Sequence, residues 1–320
     1  MSMGADDNGR MPDTFSIEGI VPLTHLGVIR ARGEEAASFL QGQLTNDVAG
    51  LDFDEARLAG YCSAKGRLLA TFVVWRSAPD ELLLACSADL LAATLKRLSM
   101  FVLRARCKLA DASGELQLFG LAGAATHAAL GADALLAPWR VALRPDGARL
   151  LRLPDAAGTR RSVWIGAAPP GLPNPSPLPL ETWRWLEVQS GVPLIEAVNV
   201  EQFVPQMVNL ELVGGVNFGK GCYPGQEVVA RSQYRGTLKR RMALFDVPAE
   251  AHAGDEVFHD ADPGQPAGRV VEAAPRPQGG GSSALVEVKL AALAQGTLHL
   301  HAADGPALAA RALPYPLPAG

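Results

Sequence analysis

The sequence predicts an α+β protein with a separate all-β unit at its C-terminal end, and two observations lead to this fold class. Over the first part of the chain, predicted elements follow one another as strand, strand, helix and strand, which is typical of a split β-α-β, ferredoxin-like unit. Beyond residue 241, short apolar runs are separated by turns rich in glycine and proline. That pattern is typical of a small antiparallel barrel.

Four elements in the first third of the chain carry this pattern. Glu34–Leu44 places apolar side chains near helical spacing. Arg67–Trp75 is almost continuously apolar and is predicted to be a buried strand, and Glu81–Cys86 returns as a second strand after a proline-containing turn. Ala88–Met100 carries leucines at i, i+4 and i+7, which predicts an amphipathic helix.

The middle of the chain continues with short strands and two helices. Helices are predicted near Ala124–Leu130 and at Leu180–Ser190, where Gly191 stands in the position of a C-terminal cap. Pro169–Pro179 holds six prolines and is expected to be a stiff surface connection. The predicted strands are Val102–Leu109, Glu115–Leu121, Trp139–Leu143, Leu150–Leu153 and Ser162–Ile165.

The C-terminal part is predicted to be a series of short strands. The glycine-rich stretch Gly279–Ser283 between two of them is expected to be a hairpin loop. The predicted strands are Met242–Val247, Glu256–Phe258, Gly268–Glu272, Leu285–Lys289 and Thr297–His301.

Size and composition restrict the classes of protein to consider. A chain of 320 residues buries a substantial core and is expected to divide into two or three compact units. The net charge of −4 argues against a general nucleic-acid coat, so nucleic acid is an unlikely partner. No apolar run of about 18 residues exists, and Met1–Arg10 carries two aspartates and no apolar stretch. We therefore expect a cytoplasmic protein without a membrane span or a signal peptide.

The four cysteines, at 62, 86, 107 and 222, form no C-x-x-C pair. Their long, irregular gaps argue against a zinc site or a stable iron–sulfur cluster held by this chain alone, so no metal site is predicted. Cys62, Cys86 and Cys107 lie in or beside apolar strands, where small core residues are the usual interpretation. Reduced thiols in a reducing compartment are expected.

Cys222 has a different setting, in the segment Lys220–Glu227, which we call the thiol loop. The cysteine stands between two glycines, beside a lysine, with a Pro-Gly turn and the pair Gln226 and Glu227 behind it. A neighbouring ammonium favours the thiolate, and glycines allow a close approach of backbone to a ligand. The alternative is a glycine-rich turn with an incidental buried thiol.

The thiol loop also carries a family resemblance. Its sequence KGCYPGQEVVAR, continuing through residues 234–236 to Arg240, resembles the signature of the YgfZ family. These proteins are folate-binding relatives of the glycine-cleavage T-protein and are implicated in keeping iron–sulfur enzymes working. Five further blocks precede the signature in the family's order: Phe39–Asp47, Tyr61–Arg67, Phe101–Arg104, Ser190–Ile195 and Phe203–Leu210.

The resemblance implies a T-protein-like arrangement of three domains. The first two domains would interleave, one of them being ferredoxin-like, and a C-terminal antiparallel β-barrel would close the third side. On this basis we expect a flexible leader at 1–16 and a discontinuous folate-binding domain at 17–50 and 178–240. A ferredoxin-like α+β domain is expected at 51–168 and the β-barrel at 241–320.

The resemblance further implies a folate-binding accessory protein that supports assembly, maintenance or repair of iron–sulfur enzymes, including enzymes that modify tRNA. Tetrahydrofolate is the implied cofactor, and iron–sulfur client enzymes or cluster-assembly proteins are the implied partners. Within this function Cys222 is the expected functional thiol. Lys220 would favour its anion, and Gln226 and Glu227 would position the loop.

Folate needs an apolar or aromatic slot and cations for its carboxylates. Trp183 stands where the family places an aromatic near its folate cleft, with packing between domains as the alternative interpretation. Packing is the preferred interpretation of Trp185. The predicted folate-binding residues are Trp183, Lys65, Arg67, Tyr223, Arg231 and Arg235.

One departure from the T-protein pattern bears on activity. T-proteins carry a pair of aspartates where this sequence has Ala70 and Thr71. Neither residue acts as a carboxylate base, so aminomethyl transfer is not expected. Two other hypotheses remain open: a folate-dependent one-carbon transferase, and an RNA-binding or scaffold protein that uses the basic run at 231–241. A solvated hairpin face is the plainer interpretation of that run.

Overall fold

A computed structural model describes residues 16–167, 171–172, 176–234 and 238–318. Most of the expected leader and part of the proline-rich connection lie outside these ranges. The helices are α1 (Ala36–Gln41), α2 (Ala88–Val102), α3 (Ala124–Ala128), α4 (Leu180–Ser190), α5 (Gln226–Tyr234) and α6 (Leu290–Ala294). The strands are β1 (Gly19–Pro22), β2 (Leu26–Arg32), β3 (Ala56–Cys62), β4 (Leu68–Ala78), β5 (Glu81–Ser87), β6 (Lys108–Asp111), β7 (Gln117–Ala122), β8 (Val141–Leu143), β9 (Arg149–Ala156), β10 (Thr159–Gly166), β11 (Arg240–Val247), β12 (Glu256–His259), β13 (Asp262–Pro275), β14 (Ser282–Lys289), β15 (Leu298–Leu300) and β16 (Ala309–Arg311).

The first sheet is antiparallel, with the strand order β3-β4-β5-β2-β6. Strand β4, which lies between β3 and β5, is the continuous apolar run predicted from the sequence, and most of its residues are buried. The amphipathic helix α2 packs against β2 and β6 with its leucine side buried. This agrees with the predicted helix and buried strand.

The predicted strand Val102–Leu109 is wrong over most of its length. Helix α2 continues through Val102, and β6 begins only at Lys108. The helix ends at Leu103, whose φ of 42° places it in the left-handed region and interrupts the helical repeat. This leucine is 87% exposed. The strand was predicted because Leu103 was counted as a buried apolar residue. Apolar character alone does not show that a side chain is buried.

The second sheet is also antiparallel and has the order β1-β7-β10-β9-β8. Each of the two sheets takes one strand from residues 17–50, namely β2 in the first and β1 in the second. Residues 51–168 are therefore divided between two sheets, and the expected boundary at residue 50 is not a sheet boundary. Pairing between distant segments produces this interleaving, and local sequence patterns do not report such pairing.

The C-terminal strands form one curled antiparallel sheet, which we call the half-barrel, with the order β15-β12-β13-β14-β11-β16. Its inner face packs a core of its own around Phe245, Val257 and Val286. The predicted C-terminal antiparallel unit is thus present. Strands β15 and β16 form the two edges of this sheet.

Helix α4 connects the second sheet to the half-barrel. Trp183 packs so closely on β7 that a Cβ at Gly120 would lie 2.5 Å from the indole, so this strand needs glycine there. Trp185 faces the other way, and its indole N–H donates to Ser283 of the half-barrel at 3.0 Å. As predicted, Gly191 ends the helix in the left-handed region, with φ of 66°.

Buried side-chain amides fasten the segment between α4 and the thiol loop, residues 192–219, which we call the linking segment. Each amide donates to the backbone carbonyl of a residue in a different segment of the chain. These bonds supply partners to buried polar groups that would otherwise have none. Several of these amides belong to the blocks that carry the family resemblance. The pairs are Asn46 to Leu58 and Gly214, Asn199 to Val270 and Val271, Gln206 to Val229, and Asn209 to Met242.

No helix in the described ranges combines the length and the apolar character needed to cross a membrane.

Candidate functional site: an interdomain cavity and a separate thiol loop

A cavity lies where the two N-terminal sheets, α4 and the half-barrel meet. Phe72 and Val73 of β4 line one side, and Leu118 and Val163 of the second sheet line the other. A few polar side chains interrupt these apolar walls. Apolar walls with a few polar groups are typical of a site for a small organic molecule.

Glu187 of α4 is one of the polar groups in the cavity wall. Its Oε1 accepts a hydrogen bond from Trp183 Nε1 at 2.8 Å, and its Oε2 lies 2.9 Å from His25 Nε2. Burial acts to raise the pKa of Glu187, but His25, Arg161 and the Trp183 hydrogen bond outweigh it and hold the pKa below its usual range. The cavity wall therefore presents a stable carboxylate.

Arg161 of β10 supplies the positive charge beside that carboxylate. Its side chain is fully buried, and its Nε and Nη2 donate to the Pro154 carbonyl at 3.2 and 3.1 Å. Its guanidinium lies 5.7 Å from the centre of the Trp183 ring. Burial lowers the pKa of Arg161 to about 10, so the group keeps its charge at neutral pH.

Thr71 lines the cavity from β4, and its hydroxyl accepts a hydrogen bond from the Ile195 amide at 3.0 Å. Its neighbour Ala70 is fully buried in the core cluster of the first sheet. The position that faces the cavity on this strand therefore offers a hydroxyl and no carboxylate. The cavity's carboxyl groups come instead from Glu187 and Glu272, which the sequence analysis missed.

Trp183 has no exposed surface and is absent from the cavity wall. It therefore acts on the cavity through Glu187, four residues further along the same helix face. The i, i+4 spacing of Trp183 and Glu187 is a signal in the sequence that predicts this contact. Trp183 thus lies beside the cavity, and its predicted role in folate binding stays a prediction.

The thiol loop lies elsewhere, against the turn between β3 and β4. A Cβ at Gly225 would come within 2.4 Å of the Ser63 carbonyl, and one at Gly66 within 2.8 Å of the Val228 side chain. Both glycines have positive φ, 80° and 71°, so both their conformation and the close packing require glycine. The turn brings Lys65, which is exposed, to the same face as the loop.

Lys220 points into the protein. Its ammonium donates to the carbonyls of Gln41 and Leu44, the latter at 2.5 Å, and lies 5.2 Å from the centre of the Tyr223 ring. Burial lowers the pKa of Lys220 to about 8, while Asp47 acts in the opposite direction. The contacts of this side chain fix the base of the loop.

Tyr223 and Cys222 take opposite roles within the loop. Tyr223 is buried in the core of the first sheet, and burial raises the pKa of its phenol well above the usual range. Cys222 is exposed. The loop thus holds its tyrosine in the interior and presents its cysteine to solvent.

The remaining predicted site residues are distributed around this loop. Gln226 and Glu227 are the first two residues of α5, a helix that the sequence analysis did not predict. Arg231 is exposed on α5, and Arg67 donates to the Gln202 carbonyl at 2.6 Å. Arg235 lies outside the described residues. Lys65, Arg67, Tyr223 and Arg231 are therefore placed around the thiol loop, and none of them belongs to the cavity wall.

The basic run at 231–241 divides into different environments. Arg240 is paired with Glu287, and Arg241 is buried in an ion pair with Glu211. Only Arg231 and Lys239 are exposed cations among its described members. The interpretation of this run as one solvated face is wrong, because two of its guanidinium groups fasten the half-barrel.

The other three cysteines differ from Cys222. Cys62 and Cys86 are buried, which raises the pKa of each thiol to about 12, and burial also raises the pKa of half-buried Cys107. Across the described ranges, no three histidine, cysteine, aspartate or glutamate side chains are grouped so as to hold a metal ion.

We expect iodoacetamide to label Cys222 first when the native protein is treated at pH 7. At a pKa of about 12, roughly one thiol in 100,000 of Cys62 or Cys86 is ionised at this pH. Peptide mass spectrometry over a time course measures the order of labelling, and Cys222→Ala serves as the control that removes the fast site. Equal labelling of Cys62 and Cys222 in the folded protein would contradict this exposure pattern.

The sequence of this chain matches a family model and several proteins that carry a name. The family model described as the GCVT N-terminal domain matches residues 16–134. A protein named tRNA-modifying protein YgfZ from Edwardsiella ictaluri is 35% identical over 246 residues, which cover 72% of this chain and 72% of the relative. The protein of the same name from Colwellia psychrerythraea is 32% identical, with 74% and 72% covered.

The chain belongs to the YgfZ family.

A solved structure shows how far the YgfZ-family fold resembles that of the T-protein. The glycine cleavage system aminomethyltransferase T from Bartonella henselae superposes with a TM-score of 0.74, covering 93% of this chain and 86% of that chain. The sequence identity is 18%, so this likeness concerns the fold alone. The predicted family and the predicted T-protein-like α+β fold are confirmed.

Proposed function

We propose that this YgfZ-family chain is a folate-binding accessory protein that supports the assembly, maintenance or repair of iron–sulfur enzymes. The observation that carries the proposal is the apolar cavity between the three units, with buried polar groups in its wall. A pterin and an aminobenzoate are flat rings that need such walls and a few directed hydrogen bonds. The relatives' printed name supports tRNA-modifying enzymes as one class of client.

The residues of the cavity fit this ligand by their chemistry. Apolar side chains of both sheets exclude water from the rings, and Thr71 and Arg161 offer a hydroxyl and a cation in the wall. Glu187 presents a carboxylate that Trp183 and His25 hold in place. Trp183 thus keeps a role in folate binding as a positioning residue. Bound tetrahydrofolate would supply the one-carbon chemistry that these side chains lack.

The thiol loop supplies the second part of the proposed function. Cys222 faces solvent on a loop whose base is fixed by Lys220 and Tyr223, so a partner protein has access to the sulfur. As a thiolate it would ligate iron transiently together with ligands from a client, or exchange with a client thiol. Gln226 and Glu227 hold the loop at the start of α5, and Lys65, Arg67 and Arg231 surround it as candidate contacts for an anionic partner.

The other two hypotheses receive less support. Aminomethyl transfer of the T-protein kind lacks carboxylates at Ala70 and Thr71, although Glu187 and Glu272 lie in the cavity wall. An RNA-binding surface at 231–241 lacks Arg240 and Arg241, because both are engaged with glutamates. Turnover of a methylamine donor, or RNA binding that weakens steeply with salt, would support them.

A titration of the purified protein with tetrahydrofolate tests the cavity. We expect micromolar binding that Leu153→Trp weakens about tenfold or more, because the larger side chain fills part of the cavity that Leu153 lines. Leu143→Trp is the matched control, since Leu143 is 68% exposed on the neighbouring strand β8. Isothermal calorimetry gives both dissociation constants. No binding by the folded wild type, or equal binding by Leu153→Trp, would contradict folate in this cavity.

A further inference from the structure

Strand β13 of the half-barrel carries a carboxyl group whose hydrogen bonds are missing. Glu272 is 0% exposed and lines the interdomain cavity. Neither of its carboxyl oxygens has a partner at good hydrogen-bond geometry among the described residues, although the Leu194 amide in the same cavity wall lies near enough to act on the group and to lower its pKa. Buried polar groups are almost always satisfied, so an unsatisfied pair of oxygens in a cavity wall points to a ligand that completes it.

A β-bulge sets the direction of this side chain. On the neighbouring strand, Val270 pairs with Val286 and Glu272 pairs with Leu285, so Val271 has no pairing partner of its own. Val270 faces the core of the half-barrel, whereas Val271 packs into the core of the first sheet. Strict alternation would point Glu272 back into the half-barrel core. Because Val271 is an extra, unpaired residue, Glu272 points outward to the cavity instead.

The linking segment holds the bulge in place. The side-chain amide of Asn199 donates to the carbonyls of Val270 and Val271, at 3.0 Å each. Asn199 is fully buried, and it contacts the bulge from outside the sheet, because the Val270 carbonyl also accepts a hydrogen bond from the Gly254 amide at 2.8 Å. The orientation of Glu272 is therefore fixed by the fold before any ligand binds.

A second polar atom in the cavity wall also lacks a partner. Trp75 of β4 is 1% exposed and lines the same cavity, and its indole N–H donates to no described acceptor. The cavity therefore offers two unsatisfied acceptors from the half-barrel and one unsatisfied donor from the first sheet. A ligand that complements them needs adjacent N–H donors and an acceptor in one rigid group.

The charges around Glu272 favour the neutral, protonated carboxyl group as long as no donor pairs with it. Burial raises the pKa of Glu272 well above its usual range, and the carboxyl groups of Glu187 and Glu196 raise it further. Arg184 acts in the opposite direction, and Arg161 lies close enough for its own pKa to respond to Glu272. These cations do not form hydrogen bonds with the carboxyl group, so its two oxygens remain available.

We propose that Glu272 binds the donor edge of a 2-amino-4-oxopyrimidine ring, the ring that ends a reduced folate. The ring N3–H and the 2-amino group are neighbouring donors that point the same way. Two such hydrogen bonds favour the charged form of Glu272, and the carboxylate accepts them as a bidentate pair. Trp75 is the donor available to an acceptor of the same ligand. This inference rests on the proposed function and names the residue that selects the pterin.

Two ligands and two variants separate this role from a structural one. The ligands are tetrahydrofolate and its 2-desamino-2-methyl analogue, which lacks one of the two donors. We expect the wild type to bind the analogue at least about tenfold more weakly than tetrahydrofolate, and Glu272→Gln to bind both with similar, weakened affinity. Glu287→Gln is the control, because Glu287 is equally buried in the same half-barrel, is paired with Arg240 and lies outside the cavity wall. It should retain the wild-type preference.

Calorimetry with circular dichroism as a check of folding gives outcomes that can be told apart. Loss of discrimination in Glu272→Gln, with discrimination kept in Glu287→Gln, supports the assignment. Unchanged discrimination in folded Glu272→Gln overturns it and leaves folate binding intact, even if both affinities fall together. No binding of tetrahydrofolate by the folded wild type overturns the proposed function, and this assignment with it.

Discussion

Cys222→Ala is expected to abolish the support that this protein gives to iron–sulfur enzymes while leaving the fold intact. Cys222 is the exposed member of the four cysteines, on a loop that Lys220 and Tyr223 fasten without its help. Removing its sulfur takes away the atom that would contact iron or a client thiol. An exposed side chain of this kind contributes within about 0.5 kcal/mol to the free energy of unfolding.

The measurement is the activity of an iron–sulfur enzyme in cells that lack the protein and are complemented with each variant. Cys222→Ala should give the activity of uncomplemented cells, and Cys107→Ala, which removes a half-buried thiol outside the loop, should give wild-type activity. Thermal unfolding of both purified variants reports the fold. Full complementation by Cys222→Ala would remove the thiol from the mechanism.

Arg241→Met is expected to destabilise the protein by about 3 kcal/mol or more, the usual effect of breaking a buried ion pair. Arg241 and Glu211 have side chains that are 8% and 5% exposed. The same guanidinium donates to the Gln206 carbonyl at 3.1 Å and to Asn209 Oδ1 at 3.3 Å. Its loss leaves the buried Glu211 carboxyl without its cation and the Asn209 side-chain oxygen without a donor.

Urea unfolding measures this change in the free energy of unfolding. Arg32→Met is the matched control, because Arg32 and Asp80 form an exposed pair, 67% and 46% accessible, whose loss costs less than about 1 kcal/mol. The double variant Arg241→Met/Glu211→Leu should recover much of the lost stability by removing the stranded carboxyl. A loss in Arg241→Met no larger than in Arg32→Met would show that this pair does not hold the half-barrel.

Much of the fold was predictable because it follows from local patterns. The apolar run in β4, the leucine spacing of α2 and the glycine at the end of α4 each identify their element without reference to the rest of the chain. The predicted strand at 102–109 was wrong where an exposed leucine imitates a buried one. Helix α5 was missed because its nine residues are mostly polar. Its first two residues were also interpreted as part of the thiol loop.

The candidate site was predictable in part. The glycines predicted a turn at Cys222, and Gly225 has the positive φ and the close packing that require glycine, whereas the functional role of this loop stays a prediction. Lys220 also belongs to that loop, but its ammonium is engaged by carbonyls near residues 41–44. A sequence reports that a lysine is adjacent to a cysteine, and it does not report which way the lysine points.

The sequence by itself determined the family, the elements with strong local patterns and the position of the thiol loop. Only the tertiary structure decided that Trp183 acts through Glu187, that Arg241 is buried, and that Glu272 faces the cavity. The physical reason is the same in each case. The cavity is built from segments more than 200 residues apart in the chain, and the direction of Glu272 depends on one unpaired residue in a strand. Local patterns specify helices and strands, whereas packing between distant segments decides which side chains share a site.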